Sequence, residues 1–287
     1  MISKLLIIAV ILNFFVTLKA QDNRPVAGVT IDAINNLNQI ITSLRKIPVK
    51  PTTRIVFDEW QPATEYSNAV NKIHNVSFIM GEILDSYYMH EYSNQQYHDR
   101  VVEYMNELGD NVDIWEIGNE INGEWLGPRD SVVRKMTDGY NIIKYAQKQT
   151  ALTLYYNKNC WENHDNEMFR WVNQNVPQYM KENLDYVFVS YYEDDCNGYQ
   201  PDWQKVFDSL YVIFPNSKLG IGECGTKKTS RKAEYMKRYY TMNITTPNYI
   251  GGYFWWYFKQ DCVPYTKILW LTMSKLLSRL SGIKSEN

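Results

Sequence analysis

Eight short apolar runs recur along the chain at intervals that leave room for a helix, and this rhythm limits the fold more than any other feature. The runs cover residues 28–32, 53–58, 77–84, 112–120, 151–157, 185–192, 218–223 and 249–258. Their length and their content of Val, Ile, Phe and Tyr suit buried strands. Clear helical spacing occupies 33–45, 95–108, 131–148, 167–182, 203–214, 231–242 and 267–280. Buried strands that alternate with helices form parallel sheets, and eight of them close into a barrel more readily than they extend an open sheet. The expected class is therefore α/β, a single (β/α)8 TIM barrel. With the first 20 residues set aside, residues 21–287 form one domain near the roughly 250 residues typical of that fold. No linker or low-complexity tract suggests a second domain.

Residues 1–20 are set aside because they read as a secretory signal peptide. Lys4 gives a positive start, residues 5–16 are mostly apolar, and Ala20 precedes the expected cut before Gln21. The apolar run is shorter than the roughly 20 residues of a membrane span. An uncleaved anchor is the alternative, because Leu18 is bulky for its position. Secretion to the extracellular space or the secretory-endolysosomal lumen makes the path oxidising. Cys160, Cys196, Cys224 and Cys262 then read as two disulfides, and the absence of Cys-x-x-Cys spacing argues against zinc. Asn75-Val-Ser77 and Asn243-Ile-Thr245 match the glycosylation sequon. A net charge of -2 gives no purchase on nucleic acid. The 23 Tyr and 9 Trp either fill a core or line a groove for amphipathic ligands such as sugars.

Barrel geometry joins residues that are distant in sequence. Parallel barrel strands place their C-terminal ends, and hence the active site, on one face. Glu120 closes the fourth run and Glu223 the seventh, so both acids reach that face. The cysteines follow runs five to eight. Neighbouring strands favour Cys160 with Cys196 and Cys224 with Cys262, although Cys196 with Cys224 also joins neighbours. Two carboxylates across a cleft suit glycoside hydrolysis, retaining at about 5–5.5 Å separation or inverting at about 6.5–9.5 Å. Sequence separation leaves both open.

The segment Trp115-Glu-Ile-Gly-Asn-Glu-Ile-Asn122 resembles the fourth-strand signature of the clan A glycoside hydrolases, the superfamily that includes cellulases, mannanases and galactanases. The acid of Ile221-Gly-Glu-Cys224 stands where that clan carries its nucleophile. The resemblance implies a retaining O-glycosyl hydrolase with Glu120 as acid/base and Glu223 as nucleophile, needing no cofactor and no metal. Val187-Phe-Val-Ser-Tyr-Tyr192 resembles a sixth strand whose Tyr bonds the nucleophile, which offers Tyr191 or Tyr192. Gly252-Tyr-Phe-Trp-Trp-Tyr257 resembles an eighth strand that floors the sugar site, with Trp256 first and Trp255 second. Arg54 resembles the second-strand Arg beside the nucleophile, and Asn119 is expected to bind the neighbouring sugar hydroxyl. The implied partner is a β-linked polysaccharide or oligosaccharide, bound by a monomer without nucleic acid and, once the leader is cut, without a membrane.

Other readings accompany these. Glu116 shares parity with Glu120 and reads as a structural acid paired with Arg54, which is itself as readily a buried ion-pair partner. Trp115 and Phe254 read as packing between barrel and helices. Trp60, Trp125 and Trp161 follow strand ends and suit sugar stacking or loop packing; Tyr87, Tyr88, His90 and Glu91 also follow one. Cys224 directly after the nucleophile departs from the clan pattern, and Tyr155-Tyr-Asn157 stands where some clan families carry a His. A disulfide at Cys224 that distorts strand seven would leave a lectin-like, inactive barrel. A metal-dependent hydrolase lacks paired ligands among the histidines at 74, 90, 98 and 164. Short loops favour an open cleft and attack within a polysaccharide chain.

Overall fold

The computed structural model describes residues 25–280. The leader expected over residues 1–20 lies outside them. Eight parallel strands close in sequence order: β1 (Val26–Ile31), β2 (Thr52–Val56), β3 (Phe78–Glu82), β4 (Ile114–Glu116), β5 (Gln149–Tyr155), β6 (Tyr186–Tyr191), β7 (Lys218–Cys224) and β8 (Tyr249–Trp255). Outside them run α1 (Leu37–Arg45), α2 (Thr64–His74), α3 (Asn94–Leu108), α4 (Arg129–Tyr145), α5 (Met168–Asn175), α6 (Gln178–Asn183), α7 (Trp203–Ile213), α8 (Lys232–Tyr240), α9 (Phe258–Cys262) and α10 (Ile268–Leu280). The fold is the expected (β/α)8 barrel. Among the described residues no helix is long and apolar enough to cross a membrane.

Several elements differ from the sequence reading for identifiable reasons. Helix α2 is polar over most of its length and carries only the stripe Tyr66, Ala69, Val70 and Ile73 inward, so its apolar signal is weak. The helix expected over 167–182 is two, α5 and α6, because Pro177 lacks an N–H and caps the second. Strand β4 ends at Glu116 rather than at residue 120. Beyond it Ile117 N still donates to Ala151 O and Ile121 N to Thr153 O, so the chain follows β5 without continuing the ladder.

The barrel interior is divided along its axis. Met80, Ile114, Ala151, Tyr186, Phe188, Ile250 and Phe254 fill one half with apolar side chains. Phe254 is therefore inside the barrel, its ring 5.4 Å from Phe188, and not between barrel and helices as expected. Tyr253 and Phe254 both take positive φ, 75° and 26°, which breaks the in-out alternation of β8. Gly252 permits this bend: it sits at φ 87°, and a Cβ there would lie 2.3 Å from Ile221 O. Trp115 is packed outside the barrel in the larger core.

One of the two expected disulfides is present. Cys160 and Cys196 bridge the segments after β5 and β6 across 36 positions. On chain entropy alone, closing a loop of that length stabilises the fold by about 4 kcal/mol. Cys224 and Cys262 are not bridged; both are buried free thiols. Glu223 points into the barrel, so the next side chain along β7 points out of it, where Cys224 Sγ donates 2.7 Å to Tyr253 O.

Candidate active site

The C-terminal half of the barrel interior is ionic, and Arg54 is its centre. This fully buried side chain of β2 donates from Nε and Nη2 to the two oxygens of Glu116, at 2.6 and 3.2 Å. Its Nη1 donates 2.6 Å to Glu223 Oε2, and Nη2 lies 3.0 Å from Glu82 Oε2. One guanidinium thus serves acids from three strands, β3, β4 and β7. Burial works against its charge, but Glu116, Glu82 and Glu223 together outweigh this and hold Arg54 protonated well above its ordinary range. Glu116 is further tied by the Thr153 hydroxyl. Glu82 is not: neither of its oxygens receives a hydrogen bond. Burial pushes its carboxyl well up, Arg54 opposes, and the charge of Glu116 adds to the rise.

Glu223 stands at the edge of this network. The Tyr192 hydroxyl donates 2.6 Å to Oε1 while Arg54 holds Oε2. Burial lifts its carboxyl to about 7 against the Arg54 charge and the Tyr192 hydrogen bond. Replacing Tyr192 by Phe removes a donor to a charged group, a loss of about 1.5–3 kcal/mol. The Glu223 titration is expected to move upward, and with it the acid limb of the pH profile of any activity that needs Glu223 ionised. An unmoved acid limb in Tyr192→Phe would remove Tyr192 from this role.

Glu120 lies beyond β4 with φ 45°, a left-handed conformation that is costly for a side chain of this size. A tight turn holds it, with Gly123 N donating 2.7 Å to Glu120 O. Asn122 pins that turn to β5 by donating to Tyr155 O and Asn166 O and accepting from Tyr155 N. The Ser190 hydroxyl donates 2.6 Å to Glu120 Oε1, and the Ser86 hydroxyl is 3.3 Å from Oε2. Burial first and the charge of Glu223 second push the Glu120 carboxyl up to about 8, with the Ser190 hydrogen bond opposing. The two acids therefore differ in kind: Glu223 has a cation and Glu120 has only hydroxyls.

The other expected residues divide between the cleft and the packing around it. Trp256 is half-buried with its ring centroid 5.7 Å from the Arg54 guanidinium carbon, so it belongs to the site. Trp255 is buried and donates Nε1 to Asp261 Oδ2 at 2.9 Å, outside the barrel. Tyr191, expected as an alternative partner for Glu223, is bonded elsewhere. It is fully buried against Tyr156 and Trp203, and its hydroxyl is committed to Tyr199 O. Asn119 is buried beside Glu120 with its Oδ1 unpartnered. Trp125 donates Nε1 3.0 Å to Ser86 Oγ, the same hydroxyl that meets Glu120. Trp60, 52% exposed at the rim, stacks on Tyr92 at 4.0 Å.

Several residues escaped the sequence reading. Ser190 shares the strand face of Tyr192, and its signal was a polar residue at the end of an apolar run. Glu82 lay inside another such run. Arg100, buried on α3, donates to Phe57 O, Asp58 O and Ile83 O and so fixes the loops after β2 and β3. Among the described residues no group of three or more His, Cys, Asp or Glu side chains is placed to hold a metal ion. A recess of about 390 Å³ at the opposite end of the barrel is ringed by Val26, Thr52, Phe78, Ile114 and Ile250 and contains neither Glu120 nor Glu223. Strand N-termini build it, the barrel face associated with stability.

No protein-family model matches the chain, and no curated protein does. Solved structures do. Gas2p of Saccharomyces cerevisiae in complex with laminaritriose and laminaritetraose superposes with a TM-score of 0.59 at 12% identity, over 90% of this chain and 65% of that one. The complex of Gas2p with laminaripentaose gives the same values. A β-glucosidase superposes with a TM-score of 0.51 at 10% identity, over 77% of this chain and 76% of that one. The likeness is one of fold. This chain spans less than two thirds of the Gas2p chain, 65%.

Proposed function

We propose that the protein is a secreted retaining glycoside hydrolase, with residues 21–287 as its catalytic domain and a β-linked polysaccharide as its substrate. The observation that carries this reading is the asymmetry of the two acids. Glu223 has Arg54 and Tyr192 to stabilise its charge, whereas Glu120 has burial and a neighbouring carboxylate to keep its proton. Glu223 attacks the anomeric carbon while Glu120 protonates the departing oxygen, giving a covalent glycosyl-enzyme. Glu120, now ionised, then takes a proton from the water that releases the sugar. Asn119 Oδ1 is available to the hydroxyl beside the reacting carbon, and Trp256 supplies an apolar floor. The Gas2p complexes with laminari-oligosaccharides support putting β-1,3-glucan first among substrates.

The pH dependence follows from the same asymmetry. Activity requires Glu223 ionised and Glu120 protonated, so it rises as pH passes about 7 and falls beyond about 8. The lectin-like alternative rested on a disulfide at Cys224, and that thiol is free. The Cys160–Cys196 bridge and the exposure of Asn75 and Asn243 support a secretory route, in keeping with the leader expected over residues 1–20.

The test is a product assay of the mature protein on β-1,3-glucan, cellulose oligosaccharides, xylan, mannan and galactan, with Glu120→Gln alongside. Wild type is expected to release oligosaccharides with retained anomeric configuration and a bell-shaped pH profile. Glu120→Gln is expected to lose about 10²–10⁴-fold on the same glycan. Products of inverted configuration, or equal rates for the two proteins, would sink the mechanism.

A further inference from the structure

A second recess opens on the Glu120 side of the cleft. It measures about 410 Å³ and is lined by Glu124, Trp125, Tyr155, Asn157, Cys160, Trp161 and Glu162. That volume lies within the roughly 300–1,000 Å³ of small-molecule sites, and three aromatic rings with two carboxylates match the apolar faces and hydroxyl edges of a pyranose. We propose that this recess binds the sugar on the leaving-group side of the scissile bond, with Trp161 as its stacking wall. The inference rests on the glycosidase reading and extends it to a substrate chain that continues past the cleaved bond.

Connections to the proton donor decide which side of the bond the recess serves. Ser86 Oγ accepts from Trp125 Nε1 at 3.0 Å and lies 3.3 Å from Glu120 Oε2. Tyr155 is the ladder partner of Ser190, whose hydroxyl bonds Glu120 from the other side. Trp256, by contrast, attends Arg54 and hence Glu223. A group protonated by Glu120 therefore departs toward Trp125 and Trp161, while the sugar that bonds to Glu223 stays by Trp256.

The recess is built before any ligand arrives. Trp125 meets Tyr155 edge-on at 5.4 Å, and Trp161 packs on His164 at 4.8 Å. Glu124 Oε1 accepts from Glu162 N and Asn163 N at 2.8 and 2.5 Å, fixing the loop beyond Trp161. The Cys160–Cys196 bridge anchors the same loop one residue before Trp161. Trp161 is nevertheless 37% exposed, so its ring is fixed at the root and open to a ligand. Rigid walls spare a ligand the cost of ordering them.

The test uses calorimetry with laminari-, cello-, manno- and xylo-tetraose on Glu223→Gln, which binds without turnover, and on the same protein carrying Trp161→Ala. For any tetraose that binds, Trp161→Ala is expected to weaken affinity about 10-fold and Trp161→Phe to restore most of it. In the otherwise wild-type enzyme, Trp161→Ala should raise KM for the tetraose several-fold more than KM for the matching disaccharide β-fluoride, whose leaving group is a fluoride ion and places no sugar in the recess. Affinity indifferent to Trp161, or no tetraose bound at all, would overturn the assignment. Affinity lost with Trp161→Ala but no glycan cleaved by wild type would keep the recess and sink the hydrolase. Cleavage with affinity indifferent to Trp161 would sink the recess alone.

Discussion

Glu223→Ala is expected to lower kcat/KM by about 10⁴-fold or more on whichever glycan the wild type cleaves, because the proposed mechanism assigns formation of the glycosyl-enzyme to Glu223 alone. The cavity left by the side chain admits a small anion beside Arg54. With an activated β-glycoside, added azide should therefore restore turnover and yield an α-glycosyl azide, since attack comes from the face that Glu223 vacated. Activity within about 10-fold of wild type, or azide without effect on the product, would remove Glu223 as nucleophile. Glu223→Gln tests the electrostatics without opening a cavity. A carboxyl whose titration is raised on folding contributes stability below its unfolded value near 4.5, and loses it as pH climbs through the folded value of about 7. The melting temperature of Glu223→Gln should thus exceed that of wild type at pH 8, with the difference closing below about pH 4.5.

The barrel was legible because eight buried strands must each be written as a compact apolar run, and the acids because Glu120 and Glu223 break such runs at their ends. Details that depend on which way a strand faces were not. Tyr191 and Tyr192 read alike in sequence, and the alternation that sends Ser190 and Tyr192 inward became visible only with the ladder. Phe254 was misplaced because two consecutive positive-φ residues, invisible in composition, turn β8. Cys224 and Cys262 lie in the segments expected to be bridged, but adjacency of strands does not make two side chains face each other. Glu82 was passed over as a lone acid in an apolar run, although an acid in such a run requires a buried partner. Arg54, on the neighbouring strand, is that partner.

Arg54→Met is expected to damage folding and catalysis together, and the two effects can be separated. The substitution keeps length and bulk but leaves Glu82, Glu116 and Glu223 facing one another in a buried space without a cation. Removing one partner of a buried ion pair costs about 3–5 kcal/mol. In a barrel of this size, each kcal/mol corresponds to about 2–4 °C in melting temperature, so a fall of roughly 10 °C is expected at neutral pH. The deficit should shrink as pH falls and the carboxyls take up protons. Arg54→Lys should recover little, since one ammonium cannot reproduce a planar fork that reaches acids on three strands. Catalysis should suffer separately: without its cation Glu223 titrates higher, and the acid limb of the pH profile moves to alkaline pH. Adding Glu82→Gln to Arg54→Met removes one of the stranded charges and should return part of the stability while leaving the acid limb displaced, because Glu223 still lacks its cation. Wild-type stability for Arg54→Met at pH 7 would mean that the buried acids are already uncharged and need no cation, and the electrostatic account of the site would fail.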